Sequence, residues 1–372
     1  MRKTFLYRAR IGRQTKAACE QWLGLCCYLY NIALEQRIYA YHQQKKSISI
    51  YEQMRQLLEL KQEAHEFKTV GSQVLQNVLE RLDKAYKAFF RRIREKDGRA
   101  GFPRFRGKDS YNSFTLKQAG WQLEGRYLYI KNVGRFKLFL SRPIEGEIKT
   151  ITISRTPSGK WLVAFSCDEV PEKPLLPTGR EIGIDVGCES FLTDSNGDKI
   201  ENPHFFKQTE DLLATRQQRL SRKVRGSNRR EKARALVARA HEKVSNQRRD
   251  FHFKVAYNLV KNNDVICIEK MSAFKSTRGL NRSMRDVAWF GFFNKLRFKA
   301  TEAGREVVEV PARNTSCTCS RCGHIVEAML LEQREFFCPE CRFLLDRDHN
   351  AALNILRVGQ TLQCSELRIS RL

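Results

Sequence analysis

Along residues 15–93 the apolar positions recur at three- and four-residue steps, and Leu75, Val78, Leu79, Leu82, Tyr86, Phe89 and Ile93 fall on one stripe of a helix turning about 100° per residue. The spacing predicts a helical block whose stripe and aromatics are packing surface and whose outer faces are basic. After Gly98 the period shortens. Runs at 113–118, 126–130, 136–140, 148–155 and 161–167 are β-rich, with turn residues at 132–134 and 157–159. A small β-barrel or curled sheet is the expected outcome. In 2–11, Lys3, Phe5, Tyr7 and Ala9 alternate with Thr4, Leu6, Arg8 and Arg10. The N-terminus therefore predicts a further strand of that sheet, with the helical block inserted after it. Three prolines in 171–177 predict a linker.

Beyond the linker the apolar pattern delivers acids to the ends of elements. Residues 181–187, Glu-Ile-Gly-Ile-Asp-Val-Gly, read as a strand that releases Asp185 among small residues, and the run at 190–193 with the turn at 195–198 makes a hairpin. Residues 264–271 hold a second buried strand, Val-Ile-Cys-Ile, with Glu269 at its end. In 346–355, helical spacing puts Asp348, Ala352 and Ile355 on one face that packs on the sheet. Asp346 falls about 200° away and is better placed to cap the helix than to bind metal. Between the two strands, 216–250 carries thirteen Lys/Arg, three acids and a thin apolar seam (Leu220, Val224, Leu236, Ala240, Val244), predicting a long basic helix interrupted near 226–228.

Charge narrows the partner. With 68 Lys+Arg against 41 Asp+Glu the chain carries +27 over 372 residues, far more than solubility needs, and such a surface attracts polyanions through counterion release. Nucleic acid is the expected partner, and the length allows roughly two to four domains. No apolar run approaches the about twenty residues that span a bilayer, and 1–13 lacks the core of a secretory signal. No membrane partner is expected, and the location is expected to be cytosolic.

Three acids at element ends suit two divalent ions about 4 Å apart, one activating water and the other stabilising the leaving 3′-oxygen of a phosphodiester. Hard oxygen ligands select Mg²⁺ or Mn²⁺. A strand, an acid and a hairpin in this order open many RNase H-like domains. Five of twelve cysteines crowd into 317–341. Cys319/Cys322 and Cys338/Cys341 form two Cys-x-x-Cys turns with a spacing suited to a tetrahedral zinc ribbon. Four thiolates close the coordination sphere, so that Zn²⁺ is structural, and Cys317 stands outside it because Cys-x-x-Cys gives the better chelate.

Other segments offer contacts. In 102–108, Phe-Pro-Arg-Phe-Arg-Gly-Lys, Arg104, Arg106 and Lys108 interleave with aromatics, permitting stacking and phosphate contacts. Arg222, Lys223, Arg229 and Arg230 offer the same charge on the basic helix. Residues 272–285, rich in Ser, Arg, Lys and Gly after Glu269, read as a mobile loop, and a lid is one expectation.

In this order the acids, knuckles and basic helix resemble the TnpB family, the OrfB-type insertion-sequence proteins related to type V CRISPR effectors. The resemblance rests on Gly183-Ile-Asp-Val-Gly187, Ile268-Glu-Lys-Met271, Thr315-Ser-Cys-Thr-Cys-Ser-Arg-Cys-Gly323 and Asp346-Arg-Asp-His-Asn-Ala-Ala352, and extends to residues 25–34 and Phe102-Pro-Arg-Phe105. Only the tail after about residue 360 lacks a match, where disorder is expected. The resemblance implies a multi-domain α+β protein. A β-barrel wedge domain (1–14 and 99–177) and a helical recognition domain (15–98) precede an RNase H-like, RuvC-type α/β nuclease domain (178–315 and 345–372). A zinc-ribbon target-nucleic-acid-binding module (316–344) interrupts the last. It also implies a guide RNA transcribed from the transposon end, a short motif flanking the target, and cutting of both strands of target double-stranded DNA at one active site. The extra Cys317 departs from the pattern expected of relatives.

Two rival functions use the same parts. A repressor that binds but no longer cuts would lose acids, whereas Asp185, Glu269 and Asp348 all remain. A transposase would use them for strand transfer, since RNase H-like folds host both reactions. The single-strand transposase that accompanies this family carries a His-hydrophobic-His motif, which none of the seven histidines forms.

Overall fold

The computed structural model describes residues 1–95, 100–107, 110–270, 286–327, 329 and 333–369, with side chains to 364. It falls into two units, Met1–Pro171 and Glu172–Leu372.

The first unit is built on period-two strands. In β1 (Lys3–Ile11) the inward residues are Lys3, Phe5, Tyr7 and Ala9, all buried. The other strands are β2 (Ser113–Leu116), β3 (Trp121–Glu124), β4 (Tyr127–Ile130), β5 (Gly134–Phe139), β6 (Glu147–Arg155) and β7 (Trp161–Asp168). Their order is β2-β6-β7-β1-β5-β4-β3, every pairing antiparallel, so the N-terminal strand lies mid-sheet between β7 and β5. Among the described residues no ladder joins β2 to β3, and the sheet is open rather than a hydrogen-bonded barrel. The turn at 132–134 uses left-handed backbone at Asn132 (φ 64°) and positive φ at Gly134 (119°).

Three helices enter between β1 and β2: α1 (Arg13–Gln44), α2 (Ile50–Glu63) and α3 (Ser72–Arg94), with a 3₁₀ turn at His65–Thr69. Ser49 and Glu52 form a reciprocal capping box at α2. Leu75, Val78, Leu79 and Leu82 of α3 are buried, but the predicted stripe ends before Ile93, which is 51% exposed. Buried Arg37 ties the three helices together, donating to Gln53 Oε1 at 2.8 Å and pairing with Asp83 at 3.4 Å.

The second unit has a five-stranded sheet: β8 (Glu181–Asp185), β9 (Ser190–Asp194), β10 (Lys199–Glu201), β11 (Val265–Glu269) and β12 (Glu306–Val310), in the order β10-β9-β8-β11-β12. β8, β11 and β12 are parallel, and β9 and β10 form an antiparallel hairpin beside them. The central strands are buried on both faces, which is why they read as continuous apolar runs. On one face, Ile182, Ile184, Ile266 and Ile268 pack with α5 (Asn228–Asn262) and α6 (Trp289–Ala303). On the other, Cys267 and Val310 pack with α7 (Arg347–Ile369).

The basic segment is a helical hairpin, broken near the expected interruption at 226–228. α4 (Phe205–Ser221) and α5 are separated near Gly226 (φ 82°), with Ser227 as the N-cap of α5. Up to residue 369 the tail, where disorder was expected, is helical. α7 continues to Ile369 because Leu362 packs against the Cys267 cluster, and Gln360 and Gln363 donate to Glu181 and Glu306. The short ribbon β13 (Glu335–Phe337) and β14 (Leu344–Asp346) precedes α7.

Candidate active site and zinc centre

Asp185 ends β8, Glu269 ends the neighbouring parallel strand β11, and Asp348 lies in the first turn of α7, which covers both strands. The parallel register brings the first two to the same sheet edge, as C-terminal strand ends do in open α/β sheets. A glycine seats the third. A Cβ on Gly183 would stand 2.6 Å from the Leu356 amide nitrogen and closer still to the Ala352 carbonyl oxygen, so only glycine lets α7 lie this close to β8. Ala352 and Ile355, on the same helix face as Asp348, are fully buried.

Asp185 feels the charges of the other two acids. Asp185 is half-buried, with one oxygen accepting the Val186 N–H at 3.0 Å. Its carboxyl is pushed up to about 8, first by burial and then by the negative charges of Asp348 and Glu269, against smaller opposing effects from the Val186 N–H and Arg347. Burial also raises the Glu269 carboxyl. Acids held this way favour a cation among them, and their hard oxygen donors fit Mg²⁺ or Mn²⁺. Arg347, which sequence reading passed over, lies 3.4 Å from Asp348 Oδ1. Its position inside Asp-Arg-Asp was the available signal.

Asp346 caps α7. Its Oδ1 accepts the N–H groups of Asp348 (3.1 Å) and His349 (3.0 Å), and its Oδ2 pairs with Lys199 at 2.6 Å. Burial raises its carboxyl, but Lys199 and the two N–H groups outweigh this and hold it below the usual range. His349 Nε2 lies 3.2 Å from the Ser195 carbonyl oxygen.

The sulfurs of Cys319, Cys322, Cys338 and Cys341 all lie within 4.8 Å of one another. Cys319–Cys341 and Cys322–Cys338 are 3.6 and 3.5 Å apart. A zinc tetrahedron with bonds of about 2.3 Å has edges of about 3.8 Å, so the set fits Zn²⁺. Cys317 is not part of it. Burial raises the Cys319 thiol, but the N–H groups of Cys322 and Arg321 and the neighbouring sulfurs bring it down to about 7.

Of the predicted nucleic-acid contacts, Arg104 and Arg106 are exposed in the first unit. Asn31 pins the Arg106 backbone through both its N–H and its carbonyl. In the second unit Arg222, Lys223 and Arg229 are exposed at the α4–α5 turn. Arg230 is turned inward, its Nη1 donating to the carbonyls of Leu220 (3.0 Å) and Lys223 (2.8 Å). Lys108 and the expected lid at 272–285 lie outside the described residues.

Comparison with known proteins agrees in both halves of the chain. Residues 164–277 match the family described as "OrfB_IS605: Probable transposase", and 289–355 match "Cas12f1-like, TNB domain". The chain is 30% identical to "Putative RNA-guided DNA endonuclease InsQ" of Escherichia coli K12, over 98% of this chain and 94% of that protein. It is 31% identical to a "Putative RNA-guided DNA endonuclease" of Streptomyces pristinaespiralis, over 96% and 90%. Among solved structures, a Cas12f1–sgRNA–target DNA complex shares the fold with a TM-score of 0.58 at 17% identity, covering 91% of this chain and 82% of that one.

Proposed function

This chain belongs to the OrfB-type TnpB family, and from that premise we propose that it is an RNA-guided DNA endonuclease of an insertion sequence. It cuts target DNA beside a short flanking motif by metal-dependent phosphodiester hydrolysis. The observation that carries this reading is the convergence of Asp185, Glu269 and Asp348 from two adjacent parallel strands and one helix, with the Asp185 carboxyl raised first by burial and then by the charges of the other two. The relatives are named RNA-guided DNA endonucleases, and the similar Cas12f1 structure holds a guide and target DNA.

Two parallel strands on one side of β8 and a hairpin on the other support an RNase H-like, RuvC-type domain at 178–315 and 345–372. Residues 316–344 are then its zinc-ribbon target-binding module. The pairing of β1 with β5 and β7 supports a wedge domain of 1–14 and 99–177 around a recognition domain of 15–98.

In this reading the three carboxylates are the ligands of Mg²⁺ or Mn²⁺, which when bound supply Lewis-acid polarisation of the scissile phosphate and activation of the attacking water. The protein's part is placement. The Val186 N–H orients Asp185, the cap at Asp346 fixes the first turn that carries Asp348, and Arg347 keeps a positive charge beside it. Guide pairing supplies sequence specificity, while exposed cations, including Arg104, Arg106, Arg222, Lys223 and Arg229, hold phosphates. Of the proposed contacts Arg230 serves the turn first.

The test is to sequence the RNA that copurifies with the protein and supply a duplex matched to it with Mg²⁺. Double-strand cutting that fails on a mismatched duplex supports the proposal. The description "Probable transposase" favours strand transfer instead, and joined transposon ends formed without guide RNA would establish that reading.

A further inference from the structure

α7 has two working faces. Asp348, Ala352 and Ile355 face the sheet, whereas Asn350, Asn354 and Arg357 repeat the same i, i+4, i+7 spacing about 200° away. Polar residues on the far side of a helix normally meet water. Here Asn350 is fully buried and Asn354 is 3% exposed. Asn350 Oδ1 accepts the Ser320 N–H at 2.9 Å and its Nδ2 donates to the Thr318 carbonyl at 2.8 Å. Asn354 Nδ2 donates to the carbonyls of Thr315 (2.9 Å) and Thr318 (2.6 Å). Arg357 Nη1 reaches the Ser320 carbonyl at 3.4 Å. Thr318 and Ser320 are the chain neighbours of Cys319, so the helix grips the first zinc knuckle on both sides of a ligand.

Asparagine suits this grip because one planar amide donates and accepts at once, meeting the Thr318 carbonyl and the Ser320 N–H of one half-buried loop. The catalytic helix is thus held between the sheet, which it meets through Gly183, and the knuckle, which it meets through Asn350 and Asn354. Asp348 is two residues from Asn350.

We propose that Asn350 and Asn354 are positioning residues that tie the four-cysteine zinc site to the helix carrying Asp348, so that zinc loading sets the placement of that carboxylate. This rests on the functional reading above. Groups that orient metal ligands from behind typically change metal affinity or activity by about 10- to 100-fold.

The test uses the full-length, zinc-loaded protein with its RNA. Asn350→Asp keeps the side-chain shape and removes the donor to Thr318. Zinc content, melting temperature, target binding, Mn²⁺ affinity by electron paramagnetic resonance and single-turnover cleavage are measured together. The expected result is retained zinc and target binding, with Mn²⁺ affinity and cleavage both lowered by roughly 10-fold or more. Partial zinc removal should weaken Mn²⁺ binding in the wild type and have a smaller effect in the variant. Wild-type Mn²⁺ affinity and cleavage in zinc-loaded Asn350→Asp overturn the proposal. Where that variant loses zinc or fails to fold, Asn354→Asp, which leaves the Asn350 grip intact, takes the same measurements: lowered Mn²⁺ affinity and cleavage support the proposal, and wild-type values overturn it. Failure of the functional reading looks different: wild-type protein neither cuts nor loses Mn²⁺ binding on Asp185→Ala.

Discussion

Gly183→Ala tests how tightly α7 must sit on β8. The new Cβ would stand 2.6 Å from the Leu356 amide nitrogen and 2.8 Å from Leu356 Cβ, where ordinary contact begins near 3.4 Å. Backbone atoms cannot swing away, so the helix must retreat by about 1 Å, a displacement that at a catalytic centre costs on the order of 100-fold in rate. Overpacking of this kind destabilises by about 1–3 kcal/mol. For a unit of this size that lowers the melting temperature by about 5 °C. The assay is a thermal melt paired with single-turnover cleavage of a matched duplex. Gly24→Ala in α1 is the control: nothing lies within 4 Å of a Cβ there, and helix propensity predicts a gain of up to about 1 kcal/mol with unchanged cutting. A Gly183→Ala protein that melts and cuts like wild type would refute the close seating of α7.

Two further predictions concern the metal sites. The Asp185 carboxyl is pushed up to about 8 in the fold and lies near 3.9 in the unfolded chain, a typical value. Between about pH 4 and 8 the folded state holds a proton that the unfolded state has lost, so without added divalent ions this group destabilises the fold increasingly as pH rises, levelling above about 8. Asp185→Asn should then melt above wild type at about pH 8.5, with the gap closing toward pH 4, whereas a gap independent of pH contradicts the assignment. Cys338→Ser removes a buried thiol of the four-cysteine cluster and should abolish stoichiometric zinc and lower the melting temperature, and unchanged zinc by metal analysis would exclude Cys338 from the site.

What the sequence displayed depended on contrast between neighbouring positions. β1 was legible because inward and outward residues alternate, and the strands ending in Asp185 and Glu269 because they are buried on both faces. The edge strand β12 was not foreseen, since its mostly half-buried residues carry no such contrast. β3 at the sheet edge does alternate, Trp121 and Leu123 against Gln122 and Glu124, but four residues are too short a run to stand out. Periodicity announced α3 but could not say where its partner ends, and Ile93 lies beyond it. Asn350 and Asn354 were not singled out, because a helical repeat cannot reveal that a knuckle folded from residues 315–320 covers them. Arg230 looked like a phosphate contact until the α4–α5 turn showed which carbonyls it holds.

The central claim is that Asp185, Glu269 and Asp348 cut DNA to which the RNA-loaded protein is already bound. The direct measurement is binding and Mg²⁺-dependent cleavage of one matched duplex by wild type and Asp185→Ala, each loaded with the same RNA. Equal target affinity is predicted, with a loss of cleavage of at least about 1,000-fold in the variant, as when a metal ligand is removed from a preorganised site. Undiminished cutting by Asp185→Ala would contradict that claim.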